Sequence, residues 1–202
     1  MATLSYQNDN TNTPCKLAIR RHFLDKYHTA DAPNVLDCCQ GERRIWNRLE
    51  QEYELAGCWG VDKKFKRGRI KIDSIKILGQ AGWPQNVIDI DVYGGPWGHW
   101  FALLPNVERP ITVFLTMGYA GKGGAVTRLE RSALNALGMG SIGSISKITV
   151  LNRPLIPMSI PYCLAAARNY GLQVVEAAEA MTTEYEYRHR YMGVRLERVA
   201  HE

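Results

Sequence analysis

The sequence predicts one α/β domain with a mostly parallel sheet that ends in an antiparallel hairpin. Two observations lead to this fold class. Short apolar runs alternate with segments of helical periodicity from residue 13 to residue 116, and two further strand-like segments follow near the end of the chain. The length of 202 residues fits one domain, which we expect over residues 14–200 after a flexible tail at residues 1–13.

The composition is that of a folded protein with a moderately basic surface. Hydrophobic residues make up 46% and charged residues 22% of the chain, which excludes a disordered or collagen-like protein. The net charge of +5 suits a polyanionic partner such as nucleic acid. No apolar stretch is long enough to span a membrane and the polar first ten residues do not resemble a signal peptide, so we expect a cytoplasmic protein.

A βαβ unit is predicted at the start of the domain. Thr13 and Pro14 supply a helix cap and a first-turn proline. The elements that follow are a helix at 15–27, a strand at 34–39, a turn at Gln40-Gly41, a helix at 42–56 and a strand at 58–62. Two parallel strands joined through a helix need a right-handed crossover, which is typical of α/β folds.

The remaining elements extend this sheet. Three strands are predicted at 69–73, 86–91 and 110–116, with a short helix through Ile75 and Leu78 and another at 97–104. A glycine-rich loop at 118–124, a helix from Val126 to Leu137, a Gly/Ser stretch at 138–146 and a helix at 160–169 come next. Strands at 172–177 and 185–196 are adjacent in sequence, which favours antiparallel pairing at the end of the sheet.

Each of the first four predicted strands ends in an aspartate. These residues are Asp37, Asp62, Asp73 and Asp91. Ligands of open parallel sheets bind beyond the carboxyl ends of the strands, near the point where strand order reverses. One such aspartate is as readily a turn or helix-cap residue, but four in order favour a ligand site.

The segments around these aspartates resemble the successive motifs of class I S-adenosylmethionine-dependent methyltransferases. The segments are Val35–Gly41, Gly60–Lys63, Ile72–Ser74 and Val87–Gly94. The resemblance covers about residues 15–200 and includes the terminal antiparallel hairpin, which is foreign to the dehydrogenase Rossmann fold. It implies a Rossmann-like methyltransferase sheet with S-adenosylmethionine as cofactor.

The resemblance also implies a set of cofactor-binding residues. The turn at Gly41 would face the methionine part of the cofactor, Asp62 would bind the ribose hydroxyls, and Asp73 with Ser74 would lie beside the adenine. A carboxylate can accept two hydroxyl hydrogen bonds, and a glycine turn lets backbone amides approach a ligand closely. The full set is Asp37, Cys38, Gly41, Asp62, Lys63, Asp73 and Ser74, with no metal required.

The fourth motif points to the acceptor. Asp91-Val92-Tyr93-Gly94-Gly95-Pro96 resembles the Asp-Pro-Phe-Gly-Ser-Pro of tRNA guanine-N2 methyltransferases and, more distantly, the Asp-Pro-Pro-Tyr of amino-methylating DNA enzymes. Both classes act on exocyclic amines, which implies that Asp91 holds or takes up an amino proton and that Tyr93 stacks on the base. These two residues are therefore the catalytic candidates, and the substrate-binding candidates are Gly94, Pro96, Trp97, Tyr119 and Lys122. Ordinary packing is the alternative for Tyr93 and Trp97.

Two residues depart from the family pattern. Val92 replaces the usual proline, and Arg43 stands where many members have the second glycine of the first motif. A bulky side chain at this position crowds the cofactor unless it turns away at the start of the helix or pairs with the cofactor carboxylate. The sequence leaves these alternatives open.

Basic and aromatic residues suggest a nucleic-acid surface. The basic residues near the second and third strands are Lys63, Lys64, Lys66, Arg67, Arg69, Lys71 and Lys76, and Tyr185, Tyr187 and Tyr191 alternate with basic residues near the end of the chain. The loop at 118–124 carries Tyr119 and Lys122, which we expect to order over a nucleic acid. Solvated loops and ordinary strand residues are the alternative interpretation.

The sequence therefore supports two hypotheses. The first is a methyltransferase acting on an exocyclic amine of a nucleobase in RNA or DNA, with a partner subunit as a further possibility for its specificity. The second is a catalytically degenerate module of the same fold that binds nucleic acid or protein as an adaptor. A nicotinamide-dependent oxidoreductase is disfavoured, since the first turn lacks the second and third glycines of the dinucleotide fingerprint.

The five cysteines suggest neither a disulfide framework nor a zinc site. Their number is odd, and there is neither a Cys-x-x-Cys pair nor a histidine at zinc-ligand spacing. We expect buried small residues.

Overall fold

A computed structural model describes residues 13–63, 70–92, 96–118, 160–180 and 189–199. The helices in this part are α1 (Thr13–Tyr27), α2 (Arg44–Leu49), α3 (Ser74–Leu78) and α4 (Trp97–Leu103), with 3-10 turns at Leu104–Asn106 and Ala166–Tyr170. The strands are β1 (Asn34–Asp37), β2 (Gly57–Asp62), β3 (Ile70–Lys71), β4 (Val87–Ile90), β5 (Ile111–Gly118), β6 (Leu172–Ala180) and β7 (His189–Arg198). Residues 160–165 are helical.

The strands form one seven-stranded sheet in the order β3-β2-β1-β4-β5-β7-β6. The pairs β1–β2, β1–β4, β2–β3 and β4–β5 are parallel, whereas β7 is antiparallel to both β5 and β6. The predicted fold class is confirmed, including the antiparallel hairpin. Strand order reverses at β1, because the chain moves outward to β2 and β3 on one side and to β4 and β5 on the other.

Alternate residues of the strands belong to two hydrophobic cores, one on each face of the sheet. Val35 and Phe114 face the core that α1 and α2 cover, where they join Leu17, Phe23 and Trp46. Their neighbours Leu36, Val113 and Leu115 belong to the other core, which includes Trp97 and Trp100 of α4. The central strands are therefore buried on both faces, as parallel strands under helices require.

The helix predicted at 42–56 is shorter than expected. It runs only from Arg44 to Leu49, and hydrogen-bonded turns follow it up to Tyr53. Contacts with α1 replace further helix: Arg21 forms two 2.6 Å hydrogen bonds with Glu52, and the Tyr53 hydroxyl donates to Asp25 at 2.7 Å. Tertiary contacts thus overrule the apolar spacing that predicted a longer helix.

Other predicted elements differ less. Strand β3 is limited to Ile70–Lys71, and the helix predicted at 160–169 is helical at 160–165 and becomes a 3-10 turn at Ala166–Tyr170. The predicted loop at 118–124, the helix from Val126 to Leu137 and the Gly/Ser stretch lie almost wholly outside the described residues. No helix in the described part of the chain is both long and apolar enough to cross a membrane.

A β-bulge near Val175 turns Glu176 towards α1. The pairing register of β6 with β7 shifts between Val174 and Glu176, so the two residues point to opposite faces. Glu176 then accepts hydrogen bonds from Lys26 Nζ at 2.7 Å and from the Tyr27 hydroxyl at 2.6 Å, and it pairs with His22 Nε2 at 2.7 Å. Together these contacts lower the pKa of Glu176 to about 2. The bulge therefore fastens α1 to the edge strand.

Replacing Glu176 by Gln should lower the free energy of unfolding at neutral pH by about 1 kcal/mol, since the site is partly solvated. The folded-state pKa lies below the ordinary value, so the contribution is complete above about pH 4.5 and is lost as the pH falls towards about 2. Urea unfolding followed by circular dichroism should show the gap between Glu176→Gln and the unmodified protein closing over that range. A difference in unfolding free energy that does not change with pH would contradict this prediction. The control is Glu179→Gln on the same strand, where the partner Arg190 is 3.2 Å away.

Candidate functional site

The carboxyl ends of β1, β2 and β4 lie side by side at the reversal point of the sheet. Asp37 is paired in register with Gly60 of β2 and with Asp89 of β4. Asp62 is the last residue of β2, and Asp91 follows β4 directly. Three of the four predicted strand-end aspartates therefore meet at one edge, where ligands of α/β sheets bind.

Asp37 is the central carboxyl group of this edge. It is 5% exposed, and the backbone N–H of Cys39 donates to its Oδ1 at 3.3 Å. Burial, together with the nearby charges of Asp89 and Asp91, raises the pKa of Asp37 well above its ordinary value. Cys38 beside it is buried as well, and burial raises the pKa of its thiol.

Asp89 is held by a buried ion pair with Arg20 of α1. Arg20 donates from Nε to Oδ2 at 2.9 Å and from Nη2 to Oδ1 at 2.6 Å, and the Trp46 indole N–H donates to Oδ2 at 2.7 Å. Both charged side chains are at most 3% exposed. Burial and Asp91 raise the pKa of Asp89, while Arg20 opposes them. A fork of this kind is among the stronger hydrogen-bonding arrangements in proteins.

Asp91 is paired with Lys16, one helical turn before Arg20. Lys16 Nζ lies 2.5 Å from Asp91 Oδ2 and 5.4 Å from the centroid of the Tyr191 ring. Burial raises the pKa of Asp91, but Lys16 and Arg20 together with a hydrogen bond from the Thr116 hydroxyl outweigh it, so the pKa is lowered. Asp91 is therefore a carboxylate at neutral pH.

The two basic residues on the buried side of α1, Lys16 and Arg20, were not among the residues predicted for the site. The signal was present, because Lys16 and Arg20 are four residues apart and continue the stripe that leads to Phe23 and Tyr27. Two cations on the buried stripe of a helix indicate buried acidic partners. Two acidic residues are present at the strand on which α1 packs: Asp89 lies in β4, and Asp91 follows it.

The loop after β1 makes the turn that the first motif requires. Gly41 has a φ of 52° and Arg43 a φ of 57°, so both occupy the left-handed region. A Cβ atom added at Gly41 would meet only the Cys39 carbonyl oxygen, at 3.7 Å. The position where the family has its second glycine thus keeps the backbone conformation of a glycine while it carries an arginine.

The Arg43 side chain turns away from the edge. Its guanidinium hydrogen-bonds to Glu50 at the end of α2 and to the thiol of Cys58. Of the alternatives that the sequence left open, the structure has the one in which the side chain turns away at the start of the helix. The turn beside Gly41 is therefore not covered by Arg43.

The second group of predicted cofactor residues surrounds the start of α3. The Asp73 side chain caps α3 by accepting from the backbone N–H of Ile75 at 3.2 Å, and Lys63 Nζ lies 3.0 Å from its other oxygen. Although burial raises the pKa of Asp73, the hydrogen bond from Lys63 and the helix cap lower it. Asp62 is half-buried at the end of β2. Asp73 thus has the helix-cap role that was the alternative for a single strand-end aspartate.

Ser74 connects this region to α4. It is 3% exposed, and its hydroxyl lies 2.9 Å from Nε2 of His99. Burial lowers the pKa of His99 to about 4, so the ring is neutral at physiological pH. His99 is a further residue whose place in this network the sequence did not predict.

The predicted substrate residues are only partly described. Pro96 and Trp97 are buried at the start of α4, and the Trp100 indole donates to the Cys163 carbonyl at 2.8 Å. Trp97 and Trp100 therefore lie in the core. Tyr93, Gly94, Tyr119 and Lys122 lie outside the described residues, as do the basic residues at 64, 66, 67 and 69. Tyr191 is 1% exposed in the core beside α1.

All five cysteines are free thiols, and Cys38 and Cys163 are buried as expected, whereas Cys15, Cys39 and Cys58 are partly exposed. In the part of the chain that the structure describes, no cluster of three or more His, Cys, Asp or Glu residues is placed to hold a metal ion.

No protein-family model and no curated protein sequence matches the chain. Solved structures match its fold. One is Trm1 from Pyrococcus horikoshii in complex with S-adenosyl-L-methionine, with 16% identity and a TM-score of 0.58 over 93% of this chain and 56% of that one. Another is the plantazolicin methyltransferase BamL in complex with SAH and a triazolic desmethylPZN analog, with 10% identity and a TM-score of 0.56 over 93% and 86% of the two chains.

A third similar structure is a Streptococcus thermophilus protein provisionally named a hemolysin, with 12% identity and a TM-score of 0.55 over 98% of this chain and 69% of that one. The chain spans little more than half the length of the Trm1 chain, 56%. At these identities the likeness establishes the Rossmann-like fold of methyltransferases, and function depends on the residues of the site.

Removing Arg20 should leave the buried Asp89 carboxylate without a charged partner. We expect Arg20→Met to lower the free energy of unfolding by about 3–5 kcal/mol, because Asp89 loses its charged partner in the core. The double variant Arg20→Met, Asp89→Asn should recover more than half of this loss, since Asn still accepts from the Trp46 indole. Urea unfolding measures both, and a double variant no more stable than the single one would refute the assignment.

The left-handed backbone of Arg43 predicts an order of stability for two variants. Arg43→Gly and Arg43→Ala both lose the contacts with Glu50 and Cys58, but only glycine relieves the positive φ. Arg43→Gly should therefore be more stable than Arg43→Ala by about 1 kcal/mol in thermal or urea unfolding. Equal stabilities would mean that the backbone strain is absent.

Proposed function

We propose that this protein is an S-adenosylmethionine-dependent methyltransferase that acts on an exocyclic amine of a nucleobase in RNA or DNA. The observation that carries the proposal is the edge formed by Asp37, Asp62 and Asp91 beside the uncovered left-handed turn at Gly41. The cofactor, when bound, supplies the methyl group on its sulfonium sulfur.

The residues at this edge suit the chemical groups of the cofactor. The half-buried carboxylate of Asp62 can accept both ribose hydroxyls. The open backbone at Gly41 leaves room for the methionine part. The direction of the Arg43 side chain favours this function over a degenerate adaptor, since the turn is not obstructed.

The state of Asp91 supports this acceptor class. A carboxylate of lowered pKa is a weak base but a good hydrogen-bond acceptor. An aromatic exocyclic amine needs only a hydrogen-bond acceptor and a weak base, because its nitrogen loses a proton readily once it is methylated. An alkyl ammonium group must be deprotonated before it can attack, which demands a stronger base. Asp91 would thus hold the amino group in line with the methyl group and accept its proton as the N–C bond forms and the C–S bond breaks.

Isothermal titration with S-adenosylhomocysteine tests cofactor binding. We expect binding by the purified protein, weakened at least about tenfold in Asp62→Ala, because two hydrogen bonds to a carboxylate are lost. Asp25→Ala removes an exposed carboxylate of α1 whose partner is the Tyr53 hydroxyl, and it should bind as the unmodified protein does. A folded protein that does not bind the ligand would refute the methyltransferase.

Transfer of a tritiated methyl group from S-adenosylmethionine to unfractionated tRNA, DNA and protein tests the acceptor. We expect incorporation into nucleic acid that falls about 10²-fold or more in Asp91→Asn. Incorporation into protein alone would overturn the acceptor class. Nucleic-acid binding without cofactor binding would favour the adaptor instead.

A further inference from the structure

We propose that Lys16 of α1 is a positioning residue for methyl transfer, which fixes the orientation of the Asp91 carboxylate towards the acceptor amine. The inference rests on the proposed function. The Lys16 and Asp91 side chains differ in exposure, at 8% and 27%, although their charged atoms are 2.5 Å apart. Lys16 therefore lies on the protein side of Asp91, and the solvent-exposed part of the ion pair is the Asp91 carboxylate. Lys16 acts on the substrate only through Asp91.

Neighbouring groups hold the Lys16 ammonium in place. Its Nζ is 5.4 Å from the centroid of the buried Tyr191 ring, and the Asp91 Oδ2 atom occupies one donor direction. The Thr116 hydroxyl bonds to the same carboxylate from β5. Contacts from α1 and β5 thus restrict rotation of the Asp91 side chain, which is what in-line alignment of an acceptor requires.

Stability alone does not account for a lysine at this position. Burying an ammonium group is costly, and a methionine of similar length would fill the space beside Tyr191 without that cost. Arg20, one turn along, already joins α1 to β4 through Asp89. Lys16 instead pairs with Asp91, the residue with the predicted catalytic role.

The charges around Asp91 show what removal of Lys16 would do. Among the described residues, the groups that interact with it include Lys16 and Arg20 from α1, Asp37 from β1, Asp89 from β4, Thr116 from β5 and the thiol of Cys39 in the loop after β1. Without Lys16, the carboxyl groups of Asp37 and Asp89 remain near Asp91, and Arg20 is shared with Asp89. Asp91 would then take up a proton at higher pH, so the acidic pH range in which it cannot accept a proton from the amine would widen, and its side chain would lose the contact that orients it.

The first experiment measures Asp91 directly and needs no substrate. Carbon-13 NMR of the aspartate carboxyl groups, with Asp91→Asn for assignment, should show the pKa of Asp91 rising by about one unit or more in Lys16→Met. Lys26→Met is the matched control, since Lys26 lies on the same helix but pairs with Glu176 of β6 and not with Asp91. An Asp91 titration that is the same in Lys16→Met and in the unmodified protein would overturn the proposal.

The second experiment uses methyl transfer to unfractionated tRNA. Lys16→Met should lower kcat about tenfold, with the acidic limb of the pH profile displaced to higher pH and the affinity for S-adenosylhomocysteine unchanged. Lys16→Arg should restore most of the rate, because it restores the charge. Parallel losses of ligand affinity and rate, or a rate that Lys16→Arg does not rescue, would show a merely structural residue.

The two proposals fail in different ways. An unmodified protein that binds no S-adenosylhomocysteine refutes the methyltransferase, whereas ligand binding and methyl transfer that Lys16→Met leaves intact refute only the role of Lys16. If Lys16→Met lowers the melting temperature below the assay range, Lys16→Gln provides the second neutral variant for both measurements.

Discussion

The buried ion pair between Arg20 and Asp89 is the interaction on which the candidate site depends. It joins α1 to the central strand β4 across the face of the sheet, and it does so beside two further carboxyl groups, Asp37 and Asp91. A helix attached in this way also places Lys16 next to Asp91, because the two basic residues are one turn apart. The bulge at Val175, which turns Glu176 towards α1, fastens the other end of the helix to the edge strand. The position of α1 therefore sets the charge state of the site.

Patterns of apolar residues were sufficient to predict most of the fold. Predominantly apolar runs such as the one at β4 identified buried parallel strands, and sequence adjacency identified the pairing of β6 with β7. Helix length was predicted less well, since α2 ends where contacts of Arg21 and Asp25 with the following residues replace further turns. Those contacts join segments that are distant in sequence, and periodicity carries no information about them.

The candidate site was predictable in its acidic half only. Strand-end aspartates are visible in a sequence because strands have clear boundaries, so Asp37, Asp62 and Asp91 were identified. Lys16, which pairs with Asp91, and Arg20, which pairs with Asp89, lie seventy residues or so away from these partners in another element. Only the packing of α1 on β4 brings them together. The direction of the Arg43 side chain was likewise undecided, because the turn allows two arrangements and contacts with Glu50 and Cys58 select one. Shared fold does not supply these details, as the varied names of the similar structures show.

The most direct measurement is a crystal structure of the protein soaked with S-adenosylmethionine. Our account predicts the ribose hydroxyls on Asp62, the methionine part over the turn at Gly41, and the sulfonium methyl group directed towards the space beside Asp91. Arg43 should remain on Glu50, and Lys16 should remain on Asp91. A ligand bound elsewhere, or an edge kept empty at saturating ligand with Arg43 folded over the turn, would contradict the account.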